Sequence, residues 1–214
     1  LNSPDYKDVI IDKKHPSLTN AQQPLYLGNA EQKSGKSIIT HPLIKKMIFT
    51  GSAQVAETFL SWKPTLSIQA ETGGKNTMIV TELSDQDLAI RHLIHAAFSY
   101  SGQKCSAVSL LILVGNKRFQ TRFLTQLADA TKALRVGPSS DLDAVIVPLM
   151  QTAPKSFIEE ATSLEKGQYW ILKPTQNPDN KYLWSPGIKA GVTPKHRFFN
   201  TECFGPLLGV ISTT

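Results

Sequence analysis

The sequence predicts an α/β fold in which a parallel sheet is covered by helices, and three observations carry that expectation. Short apolar runs alternate with stretches of helical periodicity, the pattern of strand–helix–strand units. One run, AVSLLILV at 107–114, is apolar at every position but Ser109, as suits a strand buried on both faces of a parallel sheet. Capping residues stand where the helices should begin, Ser84 and Asn116 among them.

Residues 1–30 are polar, contain proline and are weakly periodic, with at most one short strand near 8–11. Residues 25–38 read as a strand end, a turn and a short helix. HPLIKKMIFTGS (41–52) gives a proline-bounded turn, a strand at 47–49 and a glycine stop. AQVAETFLSW (53–62) has helical spacing, with Val55, Phe59 and Trp62 expected on one side. The segment WKP interrupts that pattern, since proline biases the residue before it to extended geometry, and it marks a boundary near 63–70. LSIQA (66–70) alternates as a strand leading into ETGGKN, and NTMIVTE (76–82) is another strand. Ser84 is expected to cap a helix whose stripe is Ile90, Leu93, Ile94 and Ala97. Gly102 permits a tight or left-handed turn after it. Beyond the strand at 107–114, Asn116 caps a helix with Phe119, Phe123, Leu127, Ala130 and Leu134 inward. RVGPSSD is a loop. A helix follows around 154–165, ended by Gly167, and residues 168–173, 187–192 and 205–211 supply further strands.

The 214 residues suffice for one substantial domain or one and a half. Hydrophobic residues at 41% and charged residues at 19% mark a globular chain. No apolar run is long enough to span a bilayer as a helix, and no charged segment followed by an apolar stretch opens the chain as a signal peptide would. The net charge of +6 is spread along the sequence without a basic run or a basic, aromatic-laced helix face. A nucleic-acid partner is therefore not expected. Two cysteines, Cys105 and Cys203, do not make a disulfide framework in a chain of this size. They point to a reducing compartment, the cytoplasm. His92 and His95 share a helix but lack a third ligand at metal spacing, so they read as a solvated face and no metal is expected. The chain opens on Leu1 rather than Met, which suggests a fragment, a cleaved product or a subset of a longer protein.

Four short motifs can carry chemistry. Cys105 follows a helix and a glycine turn and precedes a buried strand, the edge where functional side chains gather in α/β sheets. A nucleophilic thiol needs a lowered pKa or a nearby base, and a free cysteine is more often a buried apolar side chain. Lys104 cannot be counted as the activator, because neighbours in extended geometry point to opposite faces. Glu71 ends an apolar strand before two glycines. Partial desolvation there would raise its pKa and suit a general base, while a surface carboxylate in a glycine turn is the plain reading. FTGS (49–52) is a strand, a glycine turn and a helix start, a geometry that receives a phosphate or a nicotinamide edge. ECFGP (202–206) is expected to put Glu202 and Phe204 on one face in extended geometry, able to hold a ribose and a ring.

In this order, FTGS, ETGGKN, GQKCSA and E-x-FGP resemble the aldehyde dehydrogenase superfamily from about Leu25 onward. LRVGPSSDLDAVIVPLM, LWSPGIKAGV and TECFGPLLGV look most like the 1-pyrroline-5-carboxylate dehydrogenases, especially the dehydrogenase part of bifunctional proline-utilisation enzymes. The resemblance implies a partial, Rossmann-like NAD-binding domain over 1–69 and a catalytic thiol domain over 70–214, truncated at its C-terminus. It implies that Cys105 attacks the aldehyde carbon, that Glu71 activates water against the resulting thioester, and that the Cys105 N–H forms half of the oxyanion hole. Phe49, Thr50, Gly51, Ser52, Thr72, Gly73, Glu202 and Phe204 would then line the NAD site, and Ser106 would hold the carboxylate of glutamate semialdehyde. A proline dehydrogenase domain in the same parent chain and a homo-oligomeric parent are further implications. The family's upstream oxyanion asparagine and adenosine-ribose lysine have no counterpart here, nor does its downstream glycine-rich substrate loop. Loss of one oxyanion donor costs on the order of 100- to 1000-fold in other enzymes, so the chain alone is expected to be nearly inactive. The alternatives are a non-catalytic interaction module and a dehydrogenase for another aldehyde.

Overall fold

The computed structural model describes residues 32–214. The strand near 8–11 and the strand end and turn read from residue 25 lie outside the described residues. The chain divides into two compact units between Thr72 and Gly73, each described by itself.

In the first unit, α1 (Gln32–Thr40) precedes β1 (Lys46–Gly51), α2 (Ala53–Trp62) and β2 (Ser67–Thr72). The strands β1 and β2 run parallel, with Thr50 opposite Glu71 and Gly51 opposite Thr72; α2 is the crossover that a parallel pair requires. It starts where Ser52, in extended conformation, accepts the Val55 N–H on its hydroxyl. Ala56, Phe59 and Trp62 share a face at helical spacing, and the Phe59 ring meets Phe49 at 5.1 Å and Trp62 at 5.7 Å. Val55, expected on that face, is 40% exposed, because the buried position is Ala56. The Lys63 ammonium donates to the carbonyls of His41 and Ile44, fastening the turn before β1 to the end of α2.

In the second unit the order is β3 (Asn76–Thr81), α3 (Gln86–Phe98), β4 (Val108–Val114), α4 (Lys117–Lys132), α5 (Lys155–Thr162), β5 (Tyr169–Leu172), β6 (Gly187–Ala190), α6 (Arg197–Asn200) and β7 (Leu207–Thr213). The sheet order is β3-β4-β7-β6-β5. Every pairing is parallel except β5–β6, so the expected parallel, helix-covered sheet carries one antiparallel strand at its edge. The connection between those two strands holds no crossover helix. It folds back through an antiparallel bridge between Gln176 and Trp184, so the strands it joins must oppose.

Side chains of β4 alternate between two cores, as strand geometry dictates. Leu111 and Leu113 pack with Leu93 and Phe98 of α3 and Phe123 and Leu127 of α4. Leu110 packs with Phe157, Phe198 and Leu207 on the other face. Asn116 caps α4 as expected, accepting the Phe119 N–H. The cap of α3 is Asp85 rather than Ser84: Asp85 accepts the Leu88 N–H at 3.0 Å, while the Ser84 hydroxyl turns back to Thr81 O at 2.6 Å. Helix α5 stops at Thr162, and Gly167 (φ +92°) serves the turn into β5 instead. His92 and His95 are exposed on α3, as expected of a solvated face. Among the described residues, no helix is long and apolar enough to cross a membrane.

Candidate active site

The segment carrying Cys105 begins with strained backbone. Tyr100, Ser101 and Gly102 all adopt left-handed conformations, with φ of 54°, 55° and 68°. A left-handed non-glycine residue costs roughly 1–2 kcal/mol, so neighbouring contacts must hold Tyr100 and Ser101 there. The Ser101 hydroxyl, on a fully buried residue, donates to Val147 O at 2.7 Å and accepts Val147 N–H at 2.9 Å. Gly102 lies directly against the carbonyl of Gly205, where a Cβ has no room. Gln103 accepts the Met150 N–H at 3.0 Å. The glycine was legible in the sequence, but the role of Ser101 was not, because its partner lies 46 residues away.

A turn follows in which Ala107 N–H donates to Lys104 O at 3.0 Å. Cys105 and Ser106 occupy its tip and both are exposed. The Asn76 side-chain amide donates to Cys105 O at 2.6 Å and to Ala107 O at 3.1 Å. Lys104 places its ammonium over the Tyr100 ring at 5.0 Å. Cys203, the other thiol, is 3% exposed, and burial pushes its pKa up to about 11. Of the two cysteines, only Cys105 is open to a reagent or substrate.

The two glycines of ETGGKN meet the second acidic motif. The Glu202 carboxylate packs on Gly73, where a Cβ would collide with it, and Oε1 accepts the Gly74 N–H at 3.2 Å. Lys75 donates to Thr201 O at 2.7 Å and lies 3.6 Å from the Phe198 ring centroid. Burial pushes its pKa down to about 8. Phe204 has φ +48°, which corrects the expectation that Glu202 and Phe204 extend along one face. The backbone turns over at Phe204 so that Gly205 can pass beneath the Phe157 ring and against Gly102. The loops around Gly102 and Glu202 enclose a cavity of about 20 Å³, room for one water and no more. Ser109 lines it, and its hydroxyl oxygen has no partner within the described residues.

In the first unit the parallel register sets Thr50 beside Glu71 and Gly51 beside Thr72 at the C-terminal ends of β1 and β2. That end of parallel strands is where α/β proteins present ligand groups. The Phe49 ring curls over Gly51 and occupies the space a Cβ would take. Ser52 and Thr50 are exposed at the start of α2. Glu71 is exposed near the C-terminal end of β2, which fits the plain reading of a surface carboxylate and corrects the expectation of partial desolvation. Cys105 and Glu71 belong to different units.

Taken unit by unit, these groups suit parts of a dinucleotide such as NAD. An ionised carboxylate offers about four acceptor positions. Glu202 uses one on Gly74 and, being only half-buried, leaves the others open to hydroxyl donors such as those of a ribose. The start of α2, behind an exposed Ser52, is suited to a phosphate.

The aldehyde dehydrogenase family model matches residues 25–214. The 1-pyrroline-5-carboxylate dehydrogenase of Bacillus subtilis (strain 168) is 29% identical over 194 residues, covering 86% of this chain and 37% of that protein. The structure of Proline Utilization A from Corynebacterium freiburgense superposes with a TM-score of 0.83 at 40% identity, over 90% of this chain and 20% of that one. A Thermus 1-pyrroline-5-carboxylate dehydrogenase with bound NAD superposes with a TM-score of 0.76 at 28% identity, over 88% and 38% of the two chains. The chain thus spans well under half the length of these relatives. With an exposed thiol on a clamped turn, two glycines under a carboxylate, and a match over nearly all of its length, this chain belongs to the aldehyde dehydrogenase family.

Proposed function

We propose that this chain carries the thiol machinery of an NAD-dependent dehydrogenase that oxidises glutamate semialdehyde to glutamate. The observation that carries the reading is the contrast between the two cysteines: Cys105 stands exposed at the tip of a held turn, whereas Cys203 is buried with its pKa pushed up to about 11. On this reading the second unit is the catalytic domain and the first is part of the NAD-binding domain. Phe49, Thr50, Gly51, Ser52, Thr72, Gly73, Glu202 and Phe204 hold the cofactor, and Ser106 donates its hydroxyl to the substrate carboxylate. The likeness to two 1-pyrroline-5-carboxylate dehydrogenases and to Proline Utilization A supports the substrate. The last also supports a proline dehydrogenase domain in the same parent chain.

In the proposed mechanism, the Cys105 thiolate forms the S–C bond to the aldehyde carbon. The carbonyl oxygen takes the negative charge and is met by the Cys105 N–H, which no acceptor among the described residues occupies. NAD, when bound, supplies the hydride acceptor for this chemistry. Glu71 takes a proton from water, the hydroxide attacks the thioester carbon, and the C–S bond breaks to return the thiolate and release the acid. An exposed Glu71 exchanges its proton directly with solvent.

The test is to purify the natural full-length protein and follow NADH formation from glutamate semialdehyde. We expect turnover that Cys105→Ala reduces by more than about 1000-fold. We expect Glu71→Gln to accumulate a covalent adduct on Cys105, visible by intact mass. Full activity in Cys105→Ala overturns the reading. Equal efficiency on an uncharged aldehyde of similar size overturns the role of Ser106.

A further inference from the structure

We propose that Asn76 is a positioning residue for the Cys105 thiol, locking the central peptide of the turn that presents it; this rests on the reading of Cys105 as the nucleophile. Three consecutive residues reach four different groups. Gly74 N–H binds the Glu202 carboxylate, Lys75 Nζ binds Thr201 O, and Asn76 Nδ2 binds Cys105 O and Ala107 O. The stretch 74–76 is therefore a brace between the thiol loop and the Glu202 loop, and Asn76 is the end that touches the thiol loop.

The geometry says what Asn76 controls. Residues 104–107 form a β-turn closed by Ala107 N–H to Lys104 O. Its central peptide joins Cys105 to Ser106. Rotation of a central peptide by about 180° interconverts turn types I and II, and type II demands a positive φ at the third residue. Ser106 has no positive φ. The bond from Asn76 to Cys105 O at 2.6 Å holds this peptide in one of its two orientations. Because a trans peptide points its C=O and N–H in opposite directions, the Lys104–Ala107 bond turns the Cys105 N–H outward, and the Asn76 bond turns the Ser106 N–H away from Asn76. Both donors of the Asn76 amide are spent on the task, and it sits rigidly as the first residue of β3, paired to Val108 of β4.

By holding both Cys105 O and Ala107 O, Asn76 keeps closed the turn whose Lys104–Ala107 bond aims the Cys105 N–H, so the lock matters to a reaction that needs the thiol and its own backbone N–H aligned together. Acylation creates an oxyanion that the Cys105 N–H must meet. Alkylation by iodoacetamide displaces iodide and creates none. The experiment compares the two on the 214-residue chain and its Asn76→Ala and Asn76→Asp variants. Cys105 is acylated with p-nitrophenyl acetate or alkylated with iodoacetamide, each followed by mass. Cys203, 3% exposed, labels only from opened molecules and so reports any loss of fold in the same sample. We expect both variants to lower the ratio of acylation to alkylation at Cys105 by about 10- to 100-fold, the scale of a 1 Å misplacement, while Cys203 stays unlabelled. An unchanged ratio in folded variants overturns the lock and leaves the nucleophile reading intact. A wild-type ratio no higher than that of N-acetylcysteine overturns the nucleophile reading and the lock with it. Equal rises in labelling at both cysteines show a structural role only and overturn the lock.

Discussion

Gly102 has its Cα against the Gly205 carbonyl and a φ of +68°. The contact leaves no room for a side chain, and the left-handed backbone would strain any residue that carries one. Gly102→Ala is therefore expected to push the two loops apart and to destabilise the second unit by roughly 2–4 kcal/mol, as strain and overpacking add. Urea unfolding followed by tryptophan fluorescence checks this, and a change below 1 kcal/mol counts against the packing described. At this scale the sequence told only part of the story. Gly102, Cys105 and Glu202 stand out by residue type, whereas Ser101, Asn76 and Gly74 do not. Their partners are 46, 29 and 128 residues away, and no local pattern encodes a bond to a distant carbonyl or carboxylate. The left-handed Phe204 was likewise hidden, because its reason is the Phe157 ring over Gly205.

Among the elements, β6, α5 and α6 meet at a buried charge cluster. Lys189 is fully buried and donates to Glu160 at 2.7 Å, and Arg197 donates to the other oxygen of Glu160 at 2.6 Å. Burial pushes the Glu160 carboxyl up, but the bonds from Lys189 and Arg197 outweigh it and the net direction is down. Arg197 opens α6, whose next turn carries Phe198 and Thr201, the groups against which Lys75 rests. Lys189→Met leaves Glu160 buried with one partner. The cost of breaking such a pair is on the order of 3–5 kcal/mol, read as a loss of thermal stability far larger than that of the exposed Lys155→Met. The order of the strands and longer helices and the cap of α4 were legible because they depend on adjacent residues, whereas the short α6 was not expected. The antiparallel β5–β6 pairing was not, since the loop between them resembles any other irregular connection until the Gln176–Trp184 bridge forms.

For the molecule as a whole, two buried groups with opposite shifts give stability a defined pH dependence. Burial pushes Lys75 down from 10.5 to about 8. Between those values the unfolded chain holds a proton that the folded chain lacks, so stability rises with pH. Burial pushes Cys203 up from 9.0 to about 11. Between those values the unfolded chain loses its proton first, so stability falls. The urea midpoint is expected to climb from pH 8 to 9, flatten while the slopes oppose, and fall toward pH 11. Lys75→Met removes the climb and Cys203→Ala removes the fall; a midpoint flat from pH 8 to 11 contradicts both assignments.

The sheet order β3-β4-β7-β6-β5 has a consequence for how the protein is made. The strand β7, last in chain order among the described residues, stands third in space, with β4 on one side and β6 on the other. Until Leu207–Thr213 is synthesised, the second unit consists of two ribbons, β3 with β4 and β6 with β5, each with an open hydrogen-bonding edge. Folding of the second unit during synthesis must therefore wait on β7, and the nascent chain depends on protection of those edges until β7 inserts and joins them.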